Sequence, residues 1–129
     1  MNNDPLANAL SATLNYELAG KKEIMISPTS KVILGVLKIL NAHQYVGQFE
    51  TITDARGGYI KLHLLGNLNK CGVIKPRFSV GWQDFDKFEK RYLPAKGMGI
   101  IIISTNKGLM TLDEAREKQI GGKLIAYCY

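Results

Sequence analysis

Apolar residues recur along this chain with two periods, and the changes between them mark out its elements. From Asp4-Pro5 onward, Leu6, Ala9, Leu10, Ala12, Thr13, Leu14 and Leu18 fall at helical spacing. Asp4 can cap this helix, Pro5 sits where a missing N–H costs nothing, and Gly20 can stop it. Its other face offers Asn8, Ser11 and Asn15, all small and polar. Ile24 and Ile26 then alternate over 23–27, which predicts a short strand. Ser27-Pro28-Thr29-Ser30-Lys31 repeats the logic of a capped helix start. The helix predicted from about Ser30 to Asn41 carries Val32, Ile33, Leu34, Val36, Leu37, Ile39 and Leu40, so burial on most sides is expected. Tyr45–Thr53 and Tyr59–Leu65 read as a hairpin that turns through 54–58. Ile60, Leu62 and Leu64 point to one face of it, Lys61 and His63 to the other.

The second half is punctuated differently. Gly66, Gly72 and Pro76 break regular structure across a linking stretch. Phe85, Phe88 and Tyr92 predict a short amphipathic helix over 84–91, with Asp84 as its cap and core as the expected place of the aromatic stripe. Ile100 to Ile103 form a β-branched run that reads as a buried strand. The run stops at Ser104-Thr105-Asn106-Lys107-Gly108, read as a loop between that strand and a helix opened by Thr111. Thr111 with Glu114 fits a capping box. The helix is expected to end near Lys118-Gln119, with a turn at Gly121-Gly122. Lys123–Tyr129 closes the chain as a strand in which Leu124, Ala126 and Cys128 alternate against Ile125 and Tyr127. The elements are those of a mixed α/β (α+β) protein.

Composition narrows the function classes. A chain of 129 residues, 46% hydrophobic, can bury a real core as one domain or two small lobes. Its net charge of +6 favours a polyanionic partner, although many basic enzymes share such a balance. Cys71 and Cys128 show no metal-ligand spacing, and no cluster forms around His43 or His63. Two reduced thiols in a cytoplasmic protein are expected, with no metal and no cofactor. No leader pattern opens the chain, and no apolar run approaches the roughly 20 residues of a membrane span. Catalysis lacks a constellation: no Ser–His–acid motif, Walker loop or dinucleotide fingerprint is present. Asp113 and Glu114, one residue apart, suit a helix dipole better than a shared acid–base site.

Three stretches suit contact with a nucleic acid. The 104–108 loop combines hydroxyls, an amide, Lys107 and a permissive Gly108, which can meet ribose 2′-OH groups and phosphates. Ser30 and Lys31 stand at a helix start, where free N–H groups favour anions. Lys70, Lys75 and Arg77 are interleaved with Phe78 and lie close to Trp82. Each also has a plain reading, as a strand-to-helix turn, a simple cap and a charged strand respectively.

The pattern Gly99, Ile102-Ile103, Ser104-Thr105, Gly108, Leu109-Met110, Ala115-Arg116 resembles the signature of the universal small-subunit ribosomal protein number eight, the S-eight family. The resemblance spans essentially the whole chain, from Asp4-Pro5-Leu6-Ala7-Asn8-Ala9-Leu10 to the last strand. The string Asn69-Lys70-Cys71-Gly72-Val73-Ile74 with Pro76-Arg77-Phe78 is similar to the archaeal and eukaryotic branch. The resemblance implies two lobes: two helices on a three-stranded sheet over 1–66, and a mainly β lobe with short helices over 67–129. It implies a structural constituent of the small ribosomal subunit that binds a helical junction in the central domain of its RNA early in assembly, and so supports translation beside neighbouring ribosomal proteins. A free RNA-binding translational regulator is the alternative. The contacts it implies fall on Ser30, Lys31, Ser104, Thr105, Asn106, Lys107, Gly108, Gly121 and Gly122. Lys75 and Arg77 join them from the reading of the basic segment. Bacterial relatives usually have Ser where this chain has Asn106, and often Glu where it has Lys123, so the Lys123 contact is not carried over.

Overall fold

The computed structural model describes residues 5–26, 31–54, 57–74, 77–94 and 98–129. The chain divides into two compact units, Met1–Cys71 and Gly72–Tyr129.

The first unit opens with helix α1 (Pro5–Leu18), followed by β1 (Glu23–Ile26), α2 (Lys31–Ala42), β2 (Phe49–Asp54) and β3 (Gly57–His63). Leu6, Ala9, Leu10 and Thr13 form the buried stripe of α1. Thr13 tolerates full burial because its hydroxyl donates to Ala9 O at 2.7 Å. Leu18, expected on that stripe, is 71% exposed. The 6–10–13 stripe continues to Glu17 instead, whose Oε1 accepts from Leu68 N–H at 3.4 Å. Gly20, with φ of +78°, ends the helix as expected. In α2 only Ile33, Val36, Leu37 and Leu40 are buried, while Val32 is exposed. Burial on most sides, as its composition suggested, is therefore replaced by one buried stripe. The sheet has the order β1-β3-β2, antiparallel throughout, with Ile60 and Leu62 of the central strand completely buried. The β2–β3 hairpin closes at Asp54 opposite Gly57, and β2 begins at Phe49 rather than Tyr45. The expected caps at Asp4 and at 27–30, with Ser30 among them, lie outside the described residues.

Among the described residues the second sheet has five strands, beginning at the boundary of the two units: β4 (Cys71–Val73), β5 (Ser79–Val80), β6 (Ile100–Thr105), β7 (Gly108–Thr111) and β8 (Gly122–Cys128). Their order is β4-β8-β6-β7, with β5 also paired to β8. Ile100 to Ile103 are all buried, on both faces of β6. Between Ile102 and Ile103 the β6–β8 register shifts, and Ile125 is the extra residue on β8. That bulge explains why Leu124, Ile125 and Ala126 are buried in succession instead of alternating. Helix α3 (Phe85–Tyr92) sets Phe85, 0% exposed, into a core with Ile74, Val80, Leu93, Ile101, Ile103, Met110, Leu112, Ala115 and Leu124. Phe88 and Tyr92 pack half-buried against it, so the aromatic stripe is core-facing. Asp84 does not cap α3 with its side chain. A 3₁₀ turn, Trp82–Asp84, leads into the helix, and Asp84 N–H donates to Gly81 O at 3.0 Å. Helix α4 (Leu112–Lys118) has the expected cap: Thr111 Oγ1 accepts from Glu114 N–H at 3.3 Å. Cys71 and Cys128 are both buried.

Candidate nucleic-acid interface

The 104–108 segment is a tight hairpin and not a strand-to-helix loop. Thr105 pairs with Gly108 and Ser104 with Leu109, so only Asn106 and Lys107 lie in the turn. Gly108 has φ of +111°, which a side chain would disfavour. The physical reason for the longer strand is the Thr105 hydroxyl. It donates to Gly108 O at 2.9 Å and accepts from Lys107 N–H at 3.1 Å, closing the turn from within. A hydroxyl has one hydrogen and two lone pairs, so Thr105 keeps one acceptor position for a ligand and no donor. It can meet a ribose 2′-OH but is poorly suited to a phosphate oxygen.

The neighbouring strands complete a polar row. Ser79 on β5 lies opposite Lys123 on β8, and Lys123 opposite Ser104 on β6. Residues directly opposite in an antiparallel ladder project to the same face, about 5 Å apart. A hydroxyl, an ammonium and a second hydroxyl therefore stand side by side across three strands. Ser79 and Lys123 are exposed and Ser104 is half-buried. Together with Gly81, Thr105, Asn106 and Gly122 they line an open concavity of about 520 Å³. Among the described residues, Lys107 and Lys123 enter no ion pair.

Gly121 and Gly122 serve this concavity as points of close approach, not as the turn expected of them. A Cβ on Gly122 would lie 2.1 Å from Ser104 O, and one on Gly121 would lie 2.4 Å from Val80 O. Glycine at both positions lets β8 lie flush against its neighbours. The helix itself ends where expected, at Lys118 with Gln119 as its cap, which takes a left-handed φ of +56° and donates its N–H to Arg116 O at 3.1 Å.

Of the residues singled out from sequence, the fold brings Ser104, Thr105, Asn106 and Gly122 to one concavity, with Lys107, Gly108 and Gly121 adjoining it. Arg77 is exposed two residues before Ser79, while Lys75 lies outside the described residues. Lys31 is exposed at the first position of α2, in the other unit. Ser79, Gly81 and Lys123 were not among the residues predicted. Their signal was the strand pairing, which no local pattern discloses.

Arg116, part of the signature pattern, is already engaged. Its guanidinium meets Glu89, Asp86 at 3.1 Å and Asp113 at 3.1 Å. The Glu89 hydrogen bond, with the nearby carboxylates, raises its pKa above the ordinary guanidinium range. Arg116 thus braces α4 against α3 instead of facing a ligand. Among the described residues no group of three or more His, Cys, Asp and Glu could hold a metal ion, and no helix is long and apolar enough to cross a membrane.

The family profile described as Ribosomal protein S8 matches residues 4–129, and the chain belongs to that family. It is a ribosomal protein of the small subunit that binds ribosomal RNA, a structural component and not an enzyme.

Proposed function

We propose that this member of the Ribosomal protein S8 family binds the central domain of small-subunit ribosomal RNA at a helical junction and supports assembly of the subunit in the cytoplasm. Recognition is carried by the lobe from 67 to 129, through the Ser104–Gly108 hairpin, Gly121 and Gly122, with Arg77 and Lys75 alongside. Ser30 and Lys31 supply a further contact from the lobe over 1–66. Sequence similarity in the Asn69–Phe78 string favours the archaeal and eukaryotic branch.

The observation that carries this reading is the cross-strand row of Ser79, Lys123 and Ser104 beside a self-closed turn. A-form RNA presents a wide, shallow minor groove lined by 2′-OH groups and flanked by phosphates. Small hydroxyls and a glycine-flanked backbone can reach the former, and Lys123 and Lys107 can neutralise the latter. Thr105, left with an acceptor only, is assigned to a 2′-OH. Lys123, Lys107 and the Asn106 amide are assigned to phosphate oxygens.

Crosslinking the protein to small-subunit RNA and mapping both partners tests the reading. Crosslinks from 104–108 and 121–123 should fall on one central-domain junction. Lys123→Gln should make the dependence of log affinity on log salt shallower by about 0.9 for one lost phosphate contact. Crosslinks confined to other surfaces, with an unchanged salt slope, would remove the row from the interface.

A further inference from the structure

Helix α3 divides its charges between two flanks. Asp86 and Glu89, three residues apart, share the flank that Arg116 neutralises. Lys87 and Arg91, four apart, share the other, and both are exposed. Neither enters an ion pair among the described residues. The acidic side of the helix is thus internally satisfied and its basic side is left uncompensated.

That basic flank adjoins the strand carrying the polar row. Arg91 lies over the Phe78 ring, 5.9 Å from its centroid, and Phe78 packs on Phe88 at 5.4 Å. Phe78 in turn stands between exposed Arg77 and Ser79, and its carbonyl accepts from Leu124 N–H at 3.0 Å. A half-buried aromatic therefore fixes a guanidinium beside the edge of β5, where holding it costs little further side-chain entropy. Arg91 is thus held beside β5 and Lys87 shares its exposed flank of α3, while none of these cations lines the concavity itself.

We propose that Lys87 and Arg91, with Arg77 across Phe78, form a second contact with the phosphate backbone of the bound RNA. Phe78 and Ser79 point to opposite faces of the chain at β5, so this surface meets the proposed row around the edge of that strand, and the inference rests on that reading. The chemistry selects phosphates: the cations are exposed and enter no ion pair among the described residues, and the ring that steadies Arg91 leaves its outward N–H donors free.

The test compares binding of the full-length protein to small-subunit RNA across a salt series for wild type, Lys87→Gln, Lys87→Gln/Arg91→Gln and Lys123→Gln. Each lost phosphate contact should flatten the slope by about 0.9 and weaken binding about eightfold at 0.1 M salt, converging with wild type toward 1 M. Lys87→Gln touches no packing contact, so it reports even if Arg91→Gln loosens Phe78. Wild-type slopes in both α3 variants overturn the inference and leave the flank to solvent or an acidic protein neighbour. If Lys123→Gln alone flattens the slope, the row stands and the second contact falls. If the α3 variants alone flatten it, the basic flank binds RNA and the row does not.

Discussion

Consider Gly122→Ala. The new methyl would be placed 2.1 Å from Ser104 O, 2.9 Å from Ser104 C and 3.1 Å from Thr105 Cα. All three atoms are backbone, so no side-chain rotation relieves the contact. To reach even 3.0 Å the strands must part by about 0.9 Å, since the first contact starts at 2.1 Å. Ser104 is held on both sides, by Leu109 of β7 and Lys123 of β8, so the shift breaks pairing on one of them. Overpacking of this kind costs about 1–3 kcal/mol, and the upper end applies where backbone must move. About 3 kcal/mol in a chain of this size lowers Tm by roughly 10 °C. RNA affinity should fall as well, because the separation pulls Lys123 away from Ser104. Gly81→Ala is the matched control. It lines the same concavity, has an ordinary φ of −80°, and its Cβ would meet only the flexible Gln83 Oε1 at 3.1 Å. Thermal unfolding followed by circular dichroism should show Gly81→Ala within about 0.5 kcal/mol of wild type. Equal effects of the two variants would refute the claim that clearance at Gly122 builds the site.

Two further outcomes bear on the framework. Phe85→Ala should destabilise the protein by about 3–5 kcal/mol, whereas half-buried Phe88 should cost clearly less in the same denaturant titration. Burial, reinforced by the charge of Glu17, pushes the Cys71 thiol from 9.0 up to about 12. The unfolded chain then holds fewer protons than the native one between pH 9.0 and about 12, so this group makes stability fall as pH rises through that window. The loss should approach about 1.4 kcal/mol per pH unit, and Cys71→Ala should remove it from urea midpoints measured between pH 8 and 10. Identical pH slopes for wild type and Cys71→Ala would contradict the assignment.

Much of this protein was legible in its local patterns because local physics decides them. The 6–9–10–13 spacing of α1, the alternation of Ile60 and Leu62, the isoleucine run of β6 and the Thr111 cap all follow from periodicity or from one hydrogen bond. Misreadings arose where a partner strand or a local backbone turn overrode what composition suggested. Gly121-Gly122 has turn composition, yet its glycines answer to Ser104 and Val80 on other strands. Asp84 has cap composition, yet the 3₁₀ turn before α3 leaves its side chain without the cap bond. Ser104 to Gly108 read as a loop because the pairing that makes it a hairpin joins two short, polar strand ends.

The sequence alone therefore determined the elements, the basic charge, the want of a catalytic constellation and the segment worth testing. Tertiary structure decided which side chains stand together. Ser79, Lys123 and Ser104 are separated by long stretches of chain and become neighbours only through strand register. Register depends on every paired residue at once, including the bulge at Ile125, so no window along the chain contains it.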